Sequence, residues 1–353
     1  SRADAVAIGD VTDDGRNDVV MTTTGPLNPV NDYRVFVFAQ RPFAGTLEKP
    51  AQVAYGQTPT YSGLALGNFD GVPGVDVAVG GNAGVSVFTA AATAPWLSPV
   101  GIVASQHAQP VVALDLDADG AADLASTGSF SGGNTYANDG AAHFTPSYWP
   151  TPATGYNRLA VGDLDGDGDD DIAVAADQGP FPNVTLHRAN GDGTLTPFGT
   201  LDAGCDGWGT FGIGIGDLDG DAVNDIVATS GGNGWTACLL VFHGNGNGTY
   251  APPLQLASYD MPEALVVADM NRDRRADVVV LHAGWQRVGV YLQQANGTLA
   301  PELLYPIPYA SHYNAQGLAV GDFSGDGCPD VAIGDYNFGL VTLTNGMACP
   351  HPW

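Results

Sequence analysis

Short apolar runs recur in pairs along the chain, each pair separated by a polar turn rich in Asp and Gly. The leading runs are AVAIG, LALG, VVAL, LAVG, GIGIG, LVVA and LAVG, and the trailing ones are VVMTT, VAVGG, LAST, IAVAA, IVATS, VVVLH and VAIG. Runs this short, rich in Val and Ile and bounded by turn residues, read as buried strands. A third run follows in most units (RVFVFAQ, GVSVFT, NVTLHR, CLLVFH, VGVYLQQ, GLVTLT). A Gly/Asn turn such as ANGDGTLTP, GNGNGTYAP or QQANGTLAP then opens a fourth. Asn-Gly and Asp-Gly tolerate positive φ and form hairpin turns. Each unit is therefore expected to be a four-stranded antiparallel meander. No linker, low-complexity stretch or sustained helical period interrupts the series.

The turn between the first and second runs is a nonapeptide of the form D-x-D-x-D-G-x-x-D. Seven copies start at Asp10, Asn68, Asp115, Asp163, Asp217, Asp269 and Asp322, with start-to-start spacings of 58, 47, 48, 54, 52 and 53. A period near 50 fits one propeller blade. The expected fold is all-β: a seven-bladed β-propeller of four-stranded antiparallel blades, one domain over residues 1–353. The last unit is irregular. It reaches GLVTLT and then ends in NGMACPHPW with no evident fourth strand, while the first unit opens directly on its innermost strand. The seventh blade is thus expected to lack the usual exchange of strands at ring closure, or to take a strand from elsewhere.

Charge sharpens the chemistry of these turns. The formal net charge is −27, so no basic surface exists to displace phosphate counterions and nucleic acid is not an expected partner. Of the 38 acidic residues, Glu48, Glu263 and Glu302 alone are Glu. Short Asp carboxylates belong in turns, where they bind backbone or metal. No apolar run approaches the roughly 18 residues that would span a bilayer. Ser1 opens no signal-peptide pattern, which leaves either a cytosolic chain or one whose leader has been removed.

Three or four carboxylates within nine residues repel one another unless a cation sits between them. Positions 1, 3 and 5 place oxygens on one side of a tight turn, Gly at position 6 permits the bend, and position 9 returns an Asp from the next strand. Oxygen donors at this density suit Ca²⁺ better than Mg²⁺, which keeps more water and demands stricter geometry. An EF-hand does not fit, because position 12 carries Met21, Ser126, Val174, Ala228, Val280 or Ile333 rather than Glu, in strand-like context. The tandem nonapeptides of β-helices do not fit either, since here the motif occurs once per blade.

D-x-D-G-D-G-x-x-D between two apolar strands, clearest at Asp163–Asp171, resembles the FG-GAP/VCBS repeats of the integrin alpha-chain propeller and its bacterial relatives. The resemblance covers nearly the whole chain. It implies Ca²⁺ in the hairpin loop between the first and second strands of a blade, about five or six sites in all. By matching position, the strong copies give Asp115, Asp117, Asp119 and Asp123; Asp163, Asp165, Asp167 and Asp171; and Asp217, Asp219, Asp221 and Asp225. Weaker copies give Asp10, Thr12, Asp14 and Asp18; Asp269, Asn271, Asp273 and Asp277; and Asp322, Ser324, Asp326 and Asp330. The second copy has Val72 at position 5, leaving Asn68, Asp70 and Asp76, and is expected to be an Asx-type turn without metal. In the other copies the ion is expected to stiffen the loop, not to perform chemistry.

The meander puts the first-to-second and third-to-fourth turns on one face, here called the bottom. Cys328 and Cys349 both fall at the bottom of the seventh unit, and Cys205 and Cys238 both near the top of the fifth. Topology thus selects Cys205–Cys238 and Cys328–Cys349 as disulfides, the alternative being four free thiols. Disulfides and calcium together point to a secreted or cell-surface chain. The top face collects Tyr61, His107, Tyr156, Trp208, Trp235, Trp285, Tyr313 and Tyr336 as candidate ligand-binding residues. Tyr33, Phe211, His312 and Phe338 lie nearby. Aromatic rings beside short polar side chains suit sugars and protein hot spots alike. The expected function is a calcium-stabilised recognition or adhesion module, lectin-like, binding a glycan or protein ligand through the top face. Two alternatives stand beside it. One is a polysaccharide lyase using His or Tyr as base, although no GxSxG or HExxH occurs. The other is a structural propeller that assembles with copies of itself.

Overall fold

The structure, a computed structural model, describes residues 1–41, 45–128, 132–151, 157–177, 183–205, 209–234, 236–308, 314, 316–346 and 349. Seven antiparallel sheets follow one another along the chain, at residues 2–54, 63–104, 111–149, 157–201, 210–257, 262–306 and 318–343. Six are meanders of four strands in sequence order, as in blade 1 (Arg2–Gly9, Asp18–Thr24, Arg34–Phe38, Ala51–Ala54). The seventh has three described strands, Leu318–Gly321, Asp330–Asp335 and Gly339–Leu343. The described residues contain no helix, so none is long and apolar enough to cross a membrane.

The second strand of every blade, such as Asp171–Ala176 or Asp225–Ser230, is buried along its whole length. Its residues are small or β-branched because neighbouring sheets clasp it on both faces. Outer strands read differently: Leu254–Ala257 and Leu303–Pro306 are mostly exposed.

The core is split into seven apolar clusters, each shared by two adjacent blades. Val77 and Val79 meet Val20 and Val35 between blades 1 and 2, and Ile226 and Phe242 meet Ala173 and Leu186 between blades 4 and 5. The cluster joining blades 7 and 1 (Val6, Val19, Ala319, Phe323, Ala332) is the smallest. The ring therefore closes through side-chain packing, supported by Val6 N–H donating to Gln316 O at 2.7 Å.

Gln316 also reaches across the top of the axis. Its Oε1 accepts from Leu64 N (3.1 Å) and Val111 N (3.2 Å), and its Nε2 donates to Leu64 O (2.8 Å) and Val111 O (2.7 Å). One blade 7 amide thus satisfies backbone groups of blades 2 and 3. Beside it, Asn314 Nδ2 donates to Asp4 Oδ1 at 2.9 Å and to Ser62 O at 3.0 Å. Burial pushes the Asp4 carboxyl up to about 6, despite hydrogen bonds from Asn314 and Ser62 that pull it down. Gln316→Ala leaves four backbone groups without these partners. At about 1 kcal/mol per lost bond, we expect a loss of roughly 3–4 kcal/mol, read as a lower denaturation midpoint at unchanged m-value. An unchanged midpoint would show that water replaces the amide at no cost.

Candidate functional sites: the Asp loops and the opposite face

Each nonapeptide forms the hairpin between the first and second strands of its blade, all at the bottom. Position 9 opens the second strand in every copy: Asp18, Asp76, Asp123, Asp171, Asp225, Asp277 and Asp330. These carboxylates share one geometry. Oδ2 accepts from the N–H of the position 2 residue, as with Leu116 N to Asp123 (2.8 Å) and Leu218 N to Asp225 (2.9 Å). Oδ1 accepts from a residue at the end of the third strand or two past it, as with Asn138 N to Asp123 (2.7 Å) and Gly244 N to Asp225 (2.9 Å). The same pair of bonds is made by Asp18, Asp76, Asp171, Asp277 and Asp330. Position 9 is thus a buried staple that joins three strands of its own blade. The second copy keeps it although its metal set is broken.

Position 2 is the apolar counterpart. Val11, Phe69, Leu116, Leu164, Leu218, Met270 and Phe323 are all buried under their loops. Several of their carbonyls accept from the next blade: Phe69 O from Ala142 N (2.7 Å), Leu164 O from Tyr250 Oη–H (3.1 Å), and Met270 O from Asn345 Nδ2 (2.9 Å). The Asp loops are therefore braces between blades as well as hairpins within them.

Position 1 folds the loop. Asp163 accepts from Gly166 N (2.7 Å) and Gly168 N (3.1 Å), and Asp322 from Gly325 N (2.6 Å) and Gly327 N (2.8 Å). These bonds hold position 6 in the left-handed region. Gly takes it at no steric cost at φ 95° for Gly168, and Ala222 and Arg274 are held there at 68°.

The remaining carboxylate oxygens converge in the three strong copies. One ligand atom from each of Asp115, Asp117 and Asp123 lies within 4.8 Å of the others, and the same holds for Asp163, Asp165 and Asp171, and for Asp217, Asp219 and Asp221. Asp119 and Asp167 stand at the loop edge, each accepting a backbone N–H two residues on. In blade 3 the Oδ1 atoms of Asp115 and Asp117 are buried without a hydrogen-bond partner, as are Thr12 Oγ1 of blade 1 and Ser324 Oγ of blade 7. Burial, then repulsion from Asp119, pushes the Asp117 carboxyl up; burial pushes Asp123 and Asp171 up to about 6. The orphaned oxygens of Asp115 and Asp117, beside the raised carboxyl of Asp123, are a donor set that fits a hard cation, and such an ion would lower the raised values again.

The weaker copies differ. Asp10, Asp14 and Asp18 of blade 1, Asp269, Asp273 and Asp277 of blade 6, and Asp322, Asp326 and Asp330 of blade 7 do not bring three carboxylate ligand atoms together among the described residues. In blades 1 and 6 an Arg at position 7 sits on the position 5 acid, Arg16 on Asp14 and Arg275 on Asp273, while Asn271 Nδ2 also donates to Asp273 (2.9 Å). Basic side chains from the end of the third strand reach two strong loops: Arg188 pairs with Asp165, and His243 Nδ1 lies 3.3 Å from Asp219 and 3.1 Å from Asp225. The nonapeptide alone gives no sign of Arg188 or His243, which arrive from about 20 residues further along the chain.

Both disulfides form as topology requires, Cys205–Cys238 in blade 5 and Cys328–Cys349 at the bottom of blade 7. Disulfides together with this repeat fit an extracellular protein.

On the top face, His107 is exposed, Trp285 is 43% and Tyr336 36% accessible, and Tyr61 is half-buried. Arg2 lies over the Tyr336 ring at 4.6 Å. Tyr156, Trp208, Trp235 and Tyr313, with His312, fall outside the described residues. Blade 1 carries a cavity of about 480 Å³ on this face, lined by Pro26, Pro29, Asp32, Tyr33, Arg34 and Gln57 among others. Its walls are fixed from below. Tyr33, at φ 57°, stands edge-on to Tyr55, whose hydroxyl donates to Thr23 O at 2.8 Å. Arg34 Nε donates to Val30 O (3.2 Å), and Asp32 accepts from Asn28 N (2.7 Å). The blade pattern places these residues at the top but gives no sign of a cavity, which depends on how the Asn28–Asp32 turn folds.

The ring and its loops define a seven-bladed β-propeller with one Asp-rich hairpin per blade. A family described as an FG-GAP-like repeat matches residues 115–174 and 271–333, and the FG-GAP repeat matches residues 155–196. With the seven blades, these matches support an FG-GAP β-propeller. A solved structure of a lectin from Agrocybe aegerita, described as recognising non-reducing terminal N-acetylglucosamine, superposes at TM-score 0.63 and 20% identity over 98% of this chain and 96% of that one. A chain from the complex of BBS1N with ARL6DN superposes at TM-score 0.58 and 12% identity over 97% and 92%. At these identities the likeness is one of fold. No curated protein matches the chain.

Proposed function

We propose that the chain is a secreted or surface-displayed recognition module that binds glycans on its top face, with Ca²⁺ holding the Asp loops at the bottom. The observation that carries the glycan reading is the blade 1 cavity. It offers an aromatic ring, two prolines, a carboxylate, a guanidinium and an amide within one hollow. A sugar presents an apolar face and a hydroxyl rim, and this is the lining that recognises it. The lectin with the same fold recognises terminal N-acetylglucosamine, which makes that sugar the first to test. Ca²⁺ is expected in the loops of blades 3, 4 and 5, where three carboxylate oxygens converge, and in blade 3 two of them are buried without a hydrogen-bond partner. The loops of blades 1, 6 and 7 are secondary candidates, and that of blade 2 is expected to hold none.

The test is a glycan screen at saturating calcium with the wild-type chain and Tyr33→Ala. Retention of amino-sugar-terminated glycans, weakened at least tenfold by Tyr33→Ala with the melting temperature kept, is the expected result. Stacking of one ring contributes on the order of 1–2 kcal/mol, which is roughly that factor. No retention above background on any glycan would overturn the reading, and undiminished binding by Tyr33→Ala would remove this cavity from it.

A further inference from the structure

We propose that the loop of blade 5 is a mixed nitrogen–oxygen metal site, in which His243 joins Asp219 and Asp225 to hold a transition ion of the Zn²⁺ class in preference to Ca²⁺. This rests on the reading of the Asp loops as cation sites and sets one of them apart from the rest.

The repeat supplies its own comparison. In every blade Oδ1 of the position 9 Asp accepts a backbone N–H near the end of the third strand, and the residue just before that donor stands beside the loop. That residue is Ala39, Thr89, Ala137, Leu292 and Thr344 in blades 1, 2, 3, 6 and 7, and Arg188 in blade 4. In blade 5 it is His243. Arg188 and His243 both reach the position 3 acid of their loops, Asp165 and Asp219. Their chemistry differs. A guanidinium brings a fixed charge and no lone pair, whereas a neutral imidazole brings a lone pair and no charge. Blade 5 therefore gains a metal ligand where blade 4 gains a counter-ion.

The three donor atoms are already gathered. His243 Nδ1 lies 3.3 Å from Asp219 Oδ2 and 3.1 Å from Asp225 Oδ2, and one ligand atom from each residue lies within 4.8 Å of the other two. Ligands at about 2.0–2.2 Å around a four-coordinate Zn²⁺ stand roughly 3.3–3.5 Å apart, so little movement is needed to admit the ion. The acids are held from behind. Asp225, with its side chain 1% accessible, accepts from Leu218 N and Gly244 N (both 2.9 Å), and Asp219 Oδ1 accepts from Asp221 N (3.1 Å). Backbone bonds of this kind orient ligands and keep them ionised. Asp219 and His243 are 28% and 29% accessible at the side chain, which leaves an open way in from solvent.

The donor set chooses the ion. Ca²⁺ takes oxygen ligands, whereas imidazole nitrogen beside carboxylate suits Zn²⁺. Asp219 also belongs to the all-oxygen group with Asp217 and Asp221. The two groups share that one acid, so Zn²⁺ on His243 and Ca²⁺ on the outer oxygens compete for this loop. In blades 3 and 4 the gathered donors are all oxygens, and no such competition arises.

The test is a titration of the metal-stripped full chain with Zn²⁺ in millimolar CaCl₂, read by calorimetry and by mass spectrometry of the intact chain. We expect a single tight Zn²⁺ equivalent that excess Ca²⁺ does not displace. His243→Asn should weaken it at least tenfold, with the melting temperature of the calcium-loaded chain kept. X-ray absorption at the zinc edge of the wild-type chain should show one imidazole in an otherwise oxygen shell. Zn²⁺ that Ca²⁺ displaces, Zn²⁺ binding indifferent to His243→Asn, or a shell of oxygen alone would each overturn the assignment. Ca²⁺ equivalents counted without Zn²⁺ report on blades 3 and 4 separately. Their absence beside a retained, His243-dependent Zn²⁺ would remove the calcium reading and uphold this one.

Discussion

Removing divalent cations with a chelator is expected to lower the melting temperature by roughly 10 °C. The size follows from mass action. A site held at 100 times its Kd stabilises the folded chain by about 2.7 kcal/mol, and three converging loops contribute about 8 kcal/mol together. Unfolding entropy scales with length, so a chain of this size shifts by roughly 1–1.5 °C per kcal/mol. The structure gives a route by which loss at a loop becomes loss for the ring. Leu164 and Met270 carry backbone carbonyls that brace the next blade, and both sit inside Asp loops. A loop loosened by uncompensated charge loosens a seam between blades. Asp117→Asn separates this from a general salt effect, because it acts with opposite sign in the two states. With calcium it should lower the melting temperature and remove one equivalent by calorimetry. In chelator it should raise the melting temperature, because it takes one buried charge away from Asp115 and Asp119. Identical melting curves with and without chelator would show that the loops need no ion.

How much of this was legible beforehand divides along one line. Features that recur once per blade were readable, because repetition makes a weak local signal strong. The seven nonapeptides, the meander and the hairpin turns at Asn190, Asn245 and Gln294 all follow from it, and each of those turns closes with a Thr four residues on. The disulfides followed as well, since strand direction fixed which cysteines share an end. Within the nonapeptide, however, a ligand and a staple look alike. Position 9 reads as one more carboxylate for a metal, and its two backbone bonds appear only when the third strand is brought alongside. Features that occur once were not readable. Gln316 bonds Leu64 and Val111, 252 and 205 residues away, and no spacing rule marks a solitary glutamine at the axis. Nor does composition distinguish the aromatic rings on the top face from those wedged between blades, such as Tyr55, Tyr136 and Tyr291, which are fully buried.

Glu263→Gln is expected to stabilise the chain, and increasingly so as pH rises from about 5 to 8. Glu263 is the second residue of the innermost strand of blade 6, Pro262–Ala268, 2% accessible, and neither carboxylate oxygen has a hydrogen-bond partner. Burial pushes its carboxyl up to about 8; the charge of Arg158 pulls the other way and that of Asp177 adds to the rise. The sign follows from proton counting. The unfolded chain loses this proton near pH 4.5, whereas the folded chain keeps it until about pH 8, so stability falls as pH climbs through that window and levels off above it. At 1.36 kcal/mol per pKa unit the cost by pH 8 is on the order of 3–5 kcal/mol. The amide keeps the shape and never ionises, so it escapes the cost. We expect its melting temperature to match wild type near pH 4 and to exceed it by roughly 5 °C at pH 8. The opposite pattern would mean that Glu263 is ionised and held by Arg158, since Gln would then break a buried pair and destabilise most where that pair is charged.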